Sequence, residues 1–207
     1  MFVGGVVLAA GCSTRMGKDK LLLPYRGRPL LAHALQCMAD SPVSPILCVL
    51  GCHADEILAA VNALPFPREI RYLVNRDYAS GRASSVLSGL LAMPEQCEGA
   101  VFLPGDMPLL QAADVGALVE RFERTRAPIV VAVDEAGERA HPVLFARRLF
   151  PRLAALEGDE SGQGIIREHW DSAEKVPIAG TRVVDVDTEE DYRRLLVDEK
   201  GEHARIL

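Results

Sequence analysis

The sequence of 207 residues has no long apolar run, no surplus of positive charge and no basic stretch at its N-terminus. A membrane-spanning helix needs about 20 consecutive apolar residues, so we expect no membrane span. Lysine and arginine number 23 against 29 acidic residues, a net charge of 23 − 29 = −6, which argues against a nucleic-acid surface. A secretory signal peptide would begin with basic residues. These absences predict a cytoplasmic protein.

Cysteine is scarce, odd in number and irregularly spaced. The chain has Cys12, Cys37, Cys48, Cys52 and Cys97. A disulfide-rich secreted domain would show an even number at framework spacing, and a zinc site would need two further ligands beside Cys48 and Cys52. We therefore expect reduced cytosolic thiols.

The residues that are present predict one α/β domain. Apolar residues make up 49% and charged residues 25%, as in ordinary globular proteins. Short apolar runs alternate with amphipathic segments, which predicts a single doubly wound, mostly parallel sheet with helices on both faces, a Rossmann-like fold. The domain is expected over 1–198, with a nucleotide-binding half of about 1–110, an acceptor half of about 111–198 and a polar tail at 199–207.

The predicted elements follow one another along the whole chain. The strands are Val3–Ala9, Pro45–Leu50, Ile70–Val74, Ala100–Leu103, Pro128–Val133, Pro142–Phe145 and Arg182–Val186. The helices are Leu30–Ala39, Ala54–Leu64, Ser84–Met93, Ala113–Arg124, Leu149–Leu156 and Glu189–Leu196. Because such sheets bind ligands beyond the carboxyl ends of their strands, motifs that directly follow a strand are the functional candidates.

The loop after the first strand has the composition of a phosphate-binding loop. Gly11 permits close approach of a ligand to the backbone, and Arg15, Lys18 and Lys20 bring three cations within six residues. The P-loop spacing is not met, because five residues separate Gly11 from Gly17. The dinucleotide fingerprint Gly-x-Gly-x-x-Gly is also missing.

The stretch Leu8-Ala9-Ala10-Gly11-x-Ser13-x-Arg15-Met16-Gly17-x-x-Lys20 resembles the signature of the MobA-like nucleotidyltransferases. Within that family it is most similar to the molybdenum cofactor cytidylyltransferases. The resemblance implies that this loop wraps a triphosphate and that Arg15 and Lys20 bind its phosphates. The related guanylyltransferases usually have glycine where this chain has Ala10, so the resemblance favours CTP over GTP.

A second candidate segment, residues 75–85, also follows a predicted strand and opens a predicted helix. Helix N-termini with serine donors bind phosphate, ribose or base edges, although plain helix capping by Ser80 or Ser84 explains the same pattern. The family has a comparable Asn and Gly-x-x-x-Ser segment lining its nucleoside pocket. By resemblance, Asn75, Gly81 and Ser85 bind the nucleotide.

Two carboxylates at predicted strand ends are the candidate metal ligands. Asp106 lies in Gly105-Asp106-Met107-Pro108, and Mg2+ prefers one or two carboxylates completed by phosphate oxygens and water. The family's Gly-Asp-Met-Pro and Asp-x-Asp-Thr motifs place metal ligands at Asp106 and Asp187. Thr188 and Asp191 have the spacing of a helix-capping box, which predicts a structural role for the acidic residues after Asp187.

The segments expected to bind the acceptor match the family's pattern less closely. Ala140-His141-Pro142-Val143-Leu144-Phe145 and the segment 156–164 resemble the family's acceptor half, which implies His141 and Asp159 as acceptor contacts. This chain has Ser161-Gly162-Gln163-Gly164 where the family usually reads Gly-Ala-Arg, and Arg167 is a candidate substitute for the missing arginine. A purely structural His141 is an equal alternative.

By resemblance, the chain is an Mg2+-dependent transferase of CMP from CTP to molybdopterin, serving a molybdenum hydroxylase apoenzyme. Asp106, Arg15 and Lys20 are the expected catalytic residues. Two alternatives stay open: cytidylyl or guanylyl transfer to a sugar or polyol phosphate, and a non-catalytic nucleotide-binding module. The family's Asp pair argues against the second.

Overall fold

The structure is a computed structural model that describes residues 2–12 and 19–204, with side chains up to residue 197. Its described part contains one seven-stranded sheet in the order β5-β4-β1-β6-β8-β7-β9 and a small hairpin of β2 and β3. The strands of the sheet are β1 Phe2–Ala9, β4 Ile46–Leu50, β5 Arg71–Val74, β6 Cys97–Pro104, β7 Ile129–Val133, β8 Arg139–Ala146 and β9 Glu174–Pro177. The hairpin strands are β2 Pro24–Tyr25 and β3 Arg28–Pro29.

The sheet is mostly parallel. β1 pairs in parallel with β4 and β6, β4 with β5, and β7 with β9. β8 lies between β6 and β7 and is antiparallel to both. The carboxyl ends of the parallel strands therefore meet at one edge of the sheet, and the amino end of β8 lies at that same edge.

Helices cover both faces, which explains why β1, β4 and β7 are apolar almost throughout. The helices are α1 Leu30–Asp40, α2 Ala54–Val61, α3 Arg82–Leu91, α4 Ala112–Thr125, α5 Phe150–Ala154, α6 Gln163–Glu168 and α7 Glu189–Ala204. Side chains of α1, α2 and α4 form one core cluster with the sheet. Side chains of α3, α5 and α6 form the cluster on the opposite face. The predicted doubly wound α/β fold is confirmed.

The C-terminal helix α7 forms a third, smaller cluster with the segment that follows the first loop. Tyr192 and Leu195 of α7 pack with Leu23 and Tyr25, and the Tyr192 hydroxyl donates a hydrogen bond of 2.6 Å to the Pro24 carbonyl. The predicted capping box at the start of this helix is present, because Thr188 and Asp191 exchange backbone-to-side-chain hydrogen bonds of 2.8 and 3.2 Å.

One element prediction is wrong, and one helix is longer than expected. Residues 182–186 form no strand: Gly180–Arg182 is a single 3-10 turn, and the chain then continues without regular structure. The strand at this edge is instead Glu174–Pro177. Its residues Glu174 and Lys175 are polar because the edge of the sheet is half-exposed, so the apolar pattern that predicts a strand is missing there. The predicted helix Glu189–Leu196 is longer in the structure, since α7 continues to Ala204, and the i,i+4 pair Glu190–Arg194 supports the first turns of α7.

Within the described ranges, every helix is too short or too polar to cross a membrane.

Candidate active site

A lysine and two carboxylates meet at the carboxyl edge of the sheet. The Lys20 ammonium lies 2.6 Å from Asp106 Oδ2 and 2.7 Å from Asp187 Oδ1. Lys20 opens a 3-10 turn, Asp106 follows β6 and Asp187 precedes α7. Three residues that the sequence predicts as site residues are therefore brought together from distant parts of the chain.

Backbone contacts fix the relative positions of the two carboxylates. The Val186 N–H donates a hydrogen bond of 3.0 Å to the Asp106 carbonyl, which holds the residue before Asp187 against the Asp106 turn. The Gly105 N–H likewise donates to the Leu8 carbonyl at 2.9 Å. A Cβ on Gly105 would come within 2.8 Å of a Leu31 methyl, so this turn needs glycine to pack so closely against β1 and α1.

The electrostatics of the cluster are coupled. Burial alone would lower the pKa of Lys20, but the charges and hydrogen bonds of Asp106 and Asp187 outweigh it, and the pKa is raised. A third carboxylate, Asp185, is part of the same field: burial raises its pKa, and the charges of Asp187 and Asp106 add to that effect. Lys20 is therefore firmly cationic at neutral pH.

The donor set fits a divalent metal ion. Asp106 Oδ1 is buried and has no hydrogen-bond partner among the described residues, so this oxygen retains its capacity to bind a cation. Carboxylate oxygens are the ligands that hard cations such as Mg2+ and Mn2+ prefer. Within residues 2–12 and 19–204, no three His, Cys, Asp or Glu side chains are arranged to hold an ion alone. The protein thus offers only part of a metal's coordination shell.

The first loop is only partly within the described residues. The predicted nucleotide-binding residues Leu8, Ala9, Ala10 and Gly11 lie at the end of β1, whereas Ser13 and Arg15 lie outside the described residues. Ala10 is 7% exposed, and a Cβ added to Gly51 would come within 2.8 Å of its methyl group. The Ala10 side chain therefore packs closely against Gly51 just beyond the ends of β1 and β4.

The expectation of five reduced thiols is wrong. Cys12 and Cys52 form a disulfide, with their Cα atoms 5.0 Å apart. A hydrogen bond of 3.1 Å from the Cys52 N–H to the Ala10 carbonyl brings the two chain segments together. Since the cysteines are 40 residues apart, no local spacing reveals the pair. It becomes visible only when β1 and β4 are known to be neighbours.

The second candidate segment is organised by Asn75, which is 5% exposed. Its amide donates to the hydroxyls of Ser84 and Ser85 at 2.9 and 3.1 Å, and its carbonyl accepts from the Asp77 N–H at 3.0 Å. Its backbone N–H donates to the Leu50 carbonyl. Asn75 thus ties the end of β4 to the first turn of α3, and Ser85 is buried beside it.

Gly81 joins this segment to the acceptor side. Its φ of +118° is strained for any other residue, and a Cβ there would overlap the backbone of Gly158. The Ala83 N–H donates a hydrogen bond of 3.0 Å to the Gly158 carbonyl. The loop that holds Asp159 therefore packs directly on the N-terminus of α3.

The predicted acceptor residues differ in burial. His141 lies near the amino end of β8, and because Phe102 faces Val143 across the β6–β8 pair, His141 lies at the same sheet edge as Asp106. Burial lowers the pKa of His141 to about 4, with the Arg139 charge adding to the effect. Its Nδ1 is buried and has no hydrogen-bond partner in the described part of the chain. Asp159 and Arg167 are both exposed.

Two further residues at the site were missed by sequence reasoning. Both Arg182 and Asp185 belong to the predicted strand Arg182–Val186, and neither is predicted as a site residue. Arg182 forms a 2.9 Å ion pair with the buried carboxylate of Asp114 and donates to the Gln111 side chain at 3.2 Å. An arginine shortly before an Asp-x-Asp pair indicates a residue that positions the site only when that segment is known to be a loop.

The chain is similar to nucleotidyltransferases over most of its length. A model of the MobA-like NTP transferase domain matches residues 5–174. Nicotine blue oxidoreductase of Paenarthrobacter nicotinovorans is 33% identical over 201 residues, covering 94% of this chain and 96% of that protein. Purine catabolism protein PucB of Bacillus subtilis (strain 168) is 32% identical over 203 residues, covering 91% and 93%.

Solved structures agree with this similarity. Rv0371c from Mycobacterium tuberculosis H37Rv superposes with a TM-score of 0.81 at 29% identity, covering 95% of this chain and 97% of that one. A structure of Rv0371c in complex with manganese gives a TM-score of 0.78 at 28% identity, covering 95% and 98%.

Proposed function

The chain belongs to the MobA-like NTP transferase family and is a nucleotidyltransferase, and from that premise we propose that it transfers CMP from CTP to molybdopterin. The acceptor's phosphate oxygen attacks the α-phosphorus, the bond from the α-phosphorus to the bridging oxygen breaks, and pyrophosphate leaves. The observation that carries the proposal is the convergence of Lys20, Asp106 and Asp187 at 2.6–2.7 Å. A phosphoryl-group transferase needs this combination of cation and metal-binding carboxylates at the reacting phosphates.

The residues of the site divide the work by charge. Asp106 and Asp187 would hold Mg2+, which when bound would neutralise the oxygens of the α-phosphate. Lys20 and Arg15 neutralise the phosphates of the leaving pyrophosphate. No side chain acts as a nucleophile, because positioning and charge neutralisation are sufficient for this reaction. Manganese in the Rv0371c complex supports a divalent ion here, and Mg2+ is our choice for a cytoplasmic enzyme.

The nucleotide and the acceptor use different residues of the site. The end of β1 and the Asn75–Ser85 turn take the nucleotide, with Asn75 acting through Ser84 and Ser85 because its amide is already bonded to them. His141, Asp159 and Arg167 take the acceptor, with His141 as a neutral hydrogen-bonding group. The product serves a molybdenum hydroxylase apoenzyme, and neither nucleic acid nor membrane is a partner.

A second candidate is a redox activity, since the Paenarthrobacter relative is named an oxidoreductase. The missing Gly-x-Gly-x-x-Gly fingerprint counts against a nicotinamide dinucleotide in this fold's first loop. The lysine–carboxylate cluster has no evident part in hydride transfer. We therefore rank nucleotidyl transfer first.

Pyrophosphate release tests the proposal. Each of the four NTPs is supplied with Mg2+ or Mn2+ and with molybdopterin, a sugar phosphate or a polyol phosphate as acceptor. We expect CTP with molybdopterin to exceed GTP by at least about tenfold in kcat/KM, or roughly 1.4 kcal/mol. Ala10→Gly should narrow the ratio of CTP to GTP use chiefly by admitting GTP, because the Cβ of Ala10 narrows the space beside the loop.

Two controls decide between the alternatives. Asp106→Asn should abolish pyrophosphate release while the protein remains folded, because it removes a metal ligand. Equal use of GTP and CTP would refute the choice of base but leave nucleotidyl transfer standing. Release from no NTP, together with oxidation of NADPH in a parallel assay, would favour the redox alternative.

A further inference from the structure

Lys20 occupies the place at which a metal ion would bind. Its ammonium lies 2.6 Å from Asp106 Oδ2 and 2.7 Å from Asp187 Oδ1, so it bridges one oxygen of each carboxylate. The Lys20 and Asp106 side chains are only 15% and 16% exposed, whereas Asp187 is 43% exposed. Water therefore screens the bridge to Asp106 weakly, and the ammonium neutralises a pair of carboxylates that would otherwise repel each other.

An ammonium and a divalent ion cannot share this position. Mg2+ binds oxygen at about 2.0–2.1 Å, and Mn2+ prefers the same kind of oxygen ligands. Two cations that both contact Asp106 and Asp187 would lie within a few ångströms of each other in a part-buried site, where their repulsion is strong. Metal binding to the pair therefore requires Lys20 to move away.

Without nucleotide, the described residues supply few ligands for a metal ion. Two carboxylates supply only part of a six-oxygen shell, and no third metal-binding side chain joins them within the described residues. Free metal would thus have to displace a well-paired ammonium for an incomplete site. Triphosphate changes this balance, because its oxygens complete the metal's shell and give the displaced ammonium a new anionic partner.

We propose that Lys20 is a resident counter-ion that closes the Asp106–Asp187 pair to free divalent metal and gives up this position only when metal arrives with a nucleoside triphosphate. The inference rests on the proposed function, because it uses the triphosphate as the partner that receives Lys20. Lys20 therefore has two successive partners, carboxylate before the nucleotide binds and phosphate afterwards. The exchange keeps the catalytic carboxylates from binding metal without substrate.

Mn2+ binding to the full chain tests the exchange without any turnover. Free Mn2+ is counted by electron paramagnetic resonance, first with protein alone and then with CTP or GTP but no acceptor. Wild-type protein should bind Mn2+ weakly alone and strongly with nucleotide. Lys20→Met removes the ammonium but keeps a similar length, and it should bind Mn2+ alone at least about tenfold more tightly than wild type.

The matched control is Arg152→Met. Arg152, on the exposed side of α5, pairs with Glu168 at 2.6 Å, so its removal changes the net charge equally without touching the carboxylate pair. It should leave Mn2+ binding unchanged. Equal or weaker binding of Mn2+ by Lys20→Met than by wild type, in the absence of nucleotide, would overturn the proposal.

Thermal unfolding provides the second measurement, because Lys20→Met leaves two neighbouring carboxylates without their shared ammonium. Mn2+ alone should raise the Tm of this variant by several degrees and that of wild type hardly at all. If Lys20→Met does not fold in chelator, Mn2+ should restore its folded circular dichroism spectrum, and failure to do so contradicts the proposal. Neither measurement uses pyrophosphate release. Failure of the proposed function and failure of the Lys20 exchange are therefore distinguishable, because a protein inactive with every NTP can still be tested for the exchange.

Discussion

The Cys12–Cys52 disulfide holds Cys12, the residue directly before the part of the first loop that lies outside the described residues. Cys12 follows Gly11 in a glycine-rich, cationic loop, a setting that makes a thiol accessible and reactive once it is reduced. Cys37, Cys48 and Cys97 are buried, and burial raises their pKa values, to about 12 for Cys37. Reactivity towards thiol reagents should therefore depend on the state of this one disulfide.

We predict that iodoacetamide modifies neither Cys12 nor Cys52 in the oxidised protein and modifies both after mild reduction. Mass spectrometry of peptides measures the extent at each site. Alkylation of reduced Cys12 should lower the activity, and CTP with Mg2+ should slow the alkylation. Rapid modification of Cys12 without reductant would show that the pair is not bonded in solution.

His141 couples stability to pH. Its ordinary pKa is 6.5, and burial with the nearby Arg139 charge lowers it to about 4 in the folded protein. The unfolded chain therefore takes up this proton first as pH falls, so stability is lost below pH 6.5 and the loss levels off near pH 4. Above pH 7 His141 adds no pH dependence to the stability, because its side chain is neutral in both the folded and the unfolded protein.

We predict that the free energy of unfolding falls by about 2 kcal/mol between pH 7 and pH 5 through His141 alone. His141→Gln should remove that part of the pH dependence, and the difference between the urea-unfolding curves of the two proteins isolates it from other groups. Identical pH dependence in both proteins would mean that His141 titrates near its ordinary pKa. The activity of His141→Gln, measured at pH 7.5, separately tests the acceptor role.

At the scale of elements, the loop that carries Asp187 depends on α4 for its position. Arg182 at its start binds the buried Asp114 carboxylate at 2.9 Å and the Gln111 side chain at 3.2 Å. Asp114 also accepts a hydrogen bond of 2.9 Å from the Gln111 N–H, closing the capping box of α4. Because α4 follows the Asp106 turn closely in sequence, this network ties together the segments that carry Asp106 and Asp187.

We predict that Arg182→Met raises the Mg2+ concentration needed for half-maximal activity by about threefold or more, since Asp187 loses a fixed position. It should also destabilise the protein by roughly 2–3 kcal/mol, because the buried Asp114 loses its ionic partner. Arg194→Met, which breaks an exposed pair with Glu190 on α7, is the control. A loss of stability with an unchanged Mg2+ requirement would make Arg182 purely structural.

Sequence patterns single out residues that the structure brings together where each motif is local to one loop. Asp106 and Lys20 stand in distinctive motifs after apolar strands, and the structure brings them to 2.6 Å. The patterns failed where a contact joins distant segments. The family resemblance predicts only phosphate as the partner of Lys20. Its carboxylate partners could not be predicted without knowing that α7 returns to the first loop. The ion pair of Arg182 and Asp114 could not be predicted either, because the two residues are 68 positions apart in the sequence.

The fold as a whole was predictable because continuous apolar strands and amphipathic helices alternate through most of the chain. The exceptions are at the edge of the sheet. β9 is short and partly polar, since an edge strand buries only part of its surface, whereas residues 182–186 include three valines, of which Val186 is buried in the small cluster with α7. The alternating pattern of this segment does not indicate a strand, because Val184 is 43% exposed.

The two halves expected at about 1–110 and 111–198 share one sheet. β8 of the second half lies against β6 of the first, with Gly99–Phe102 paired to Val143–Ala146. The core cluster on one face contains Val3 and Leu103 together with Leu118 and Val130, and the cluster on the other face is equally mixed. Separation of the halves would expose the β6 edge and divide both clusters, so neither half has a core of its own.

We therefore predict that the protein unfolds in one cooperative transition. Differential scanning calorimetry with the disulfide intact should give a calorimetric enthalpy equal to the van't Hoff enthalpy, of about 140 kcal/mol near 60 °C for a chain of this size. A fragment of residues 1–110 should remain unfolded or aggregate, because the β6 edge lacks its antiparallel partner. Two resolved transitions, or a folded fragment with the native circular dichroism of its region, would instead mean that the nucleotide-binding half is an independent domain. The single transition is also what the site requires, since Lys20 and Asp106 come from the first half and Asp187 from the second. Their 2.6 and 2.7 Å contacts persist only while both halves remain folded together.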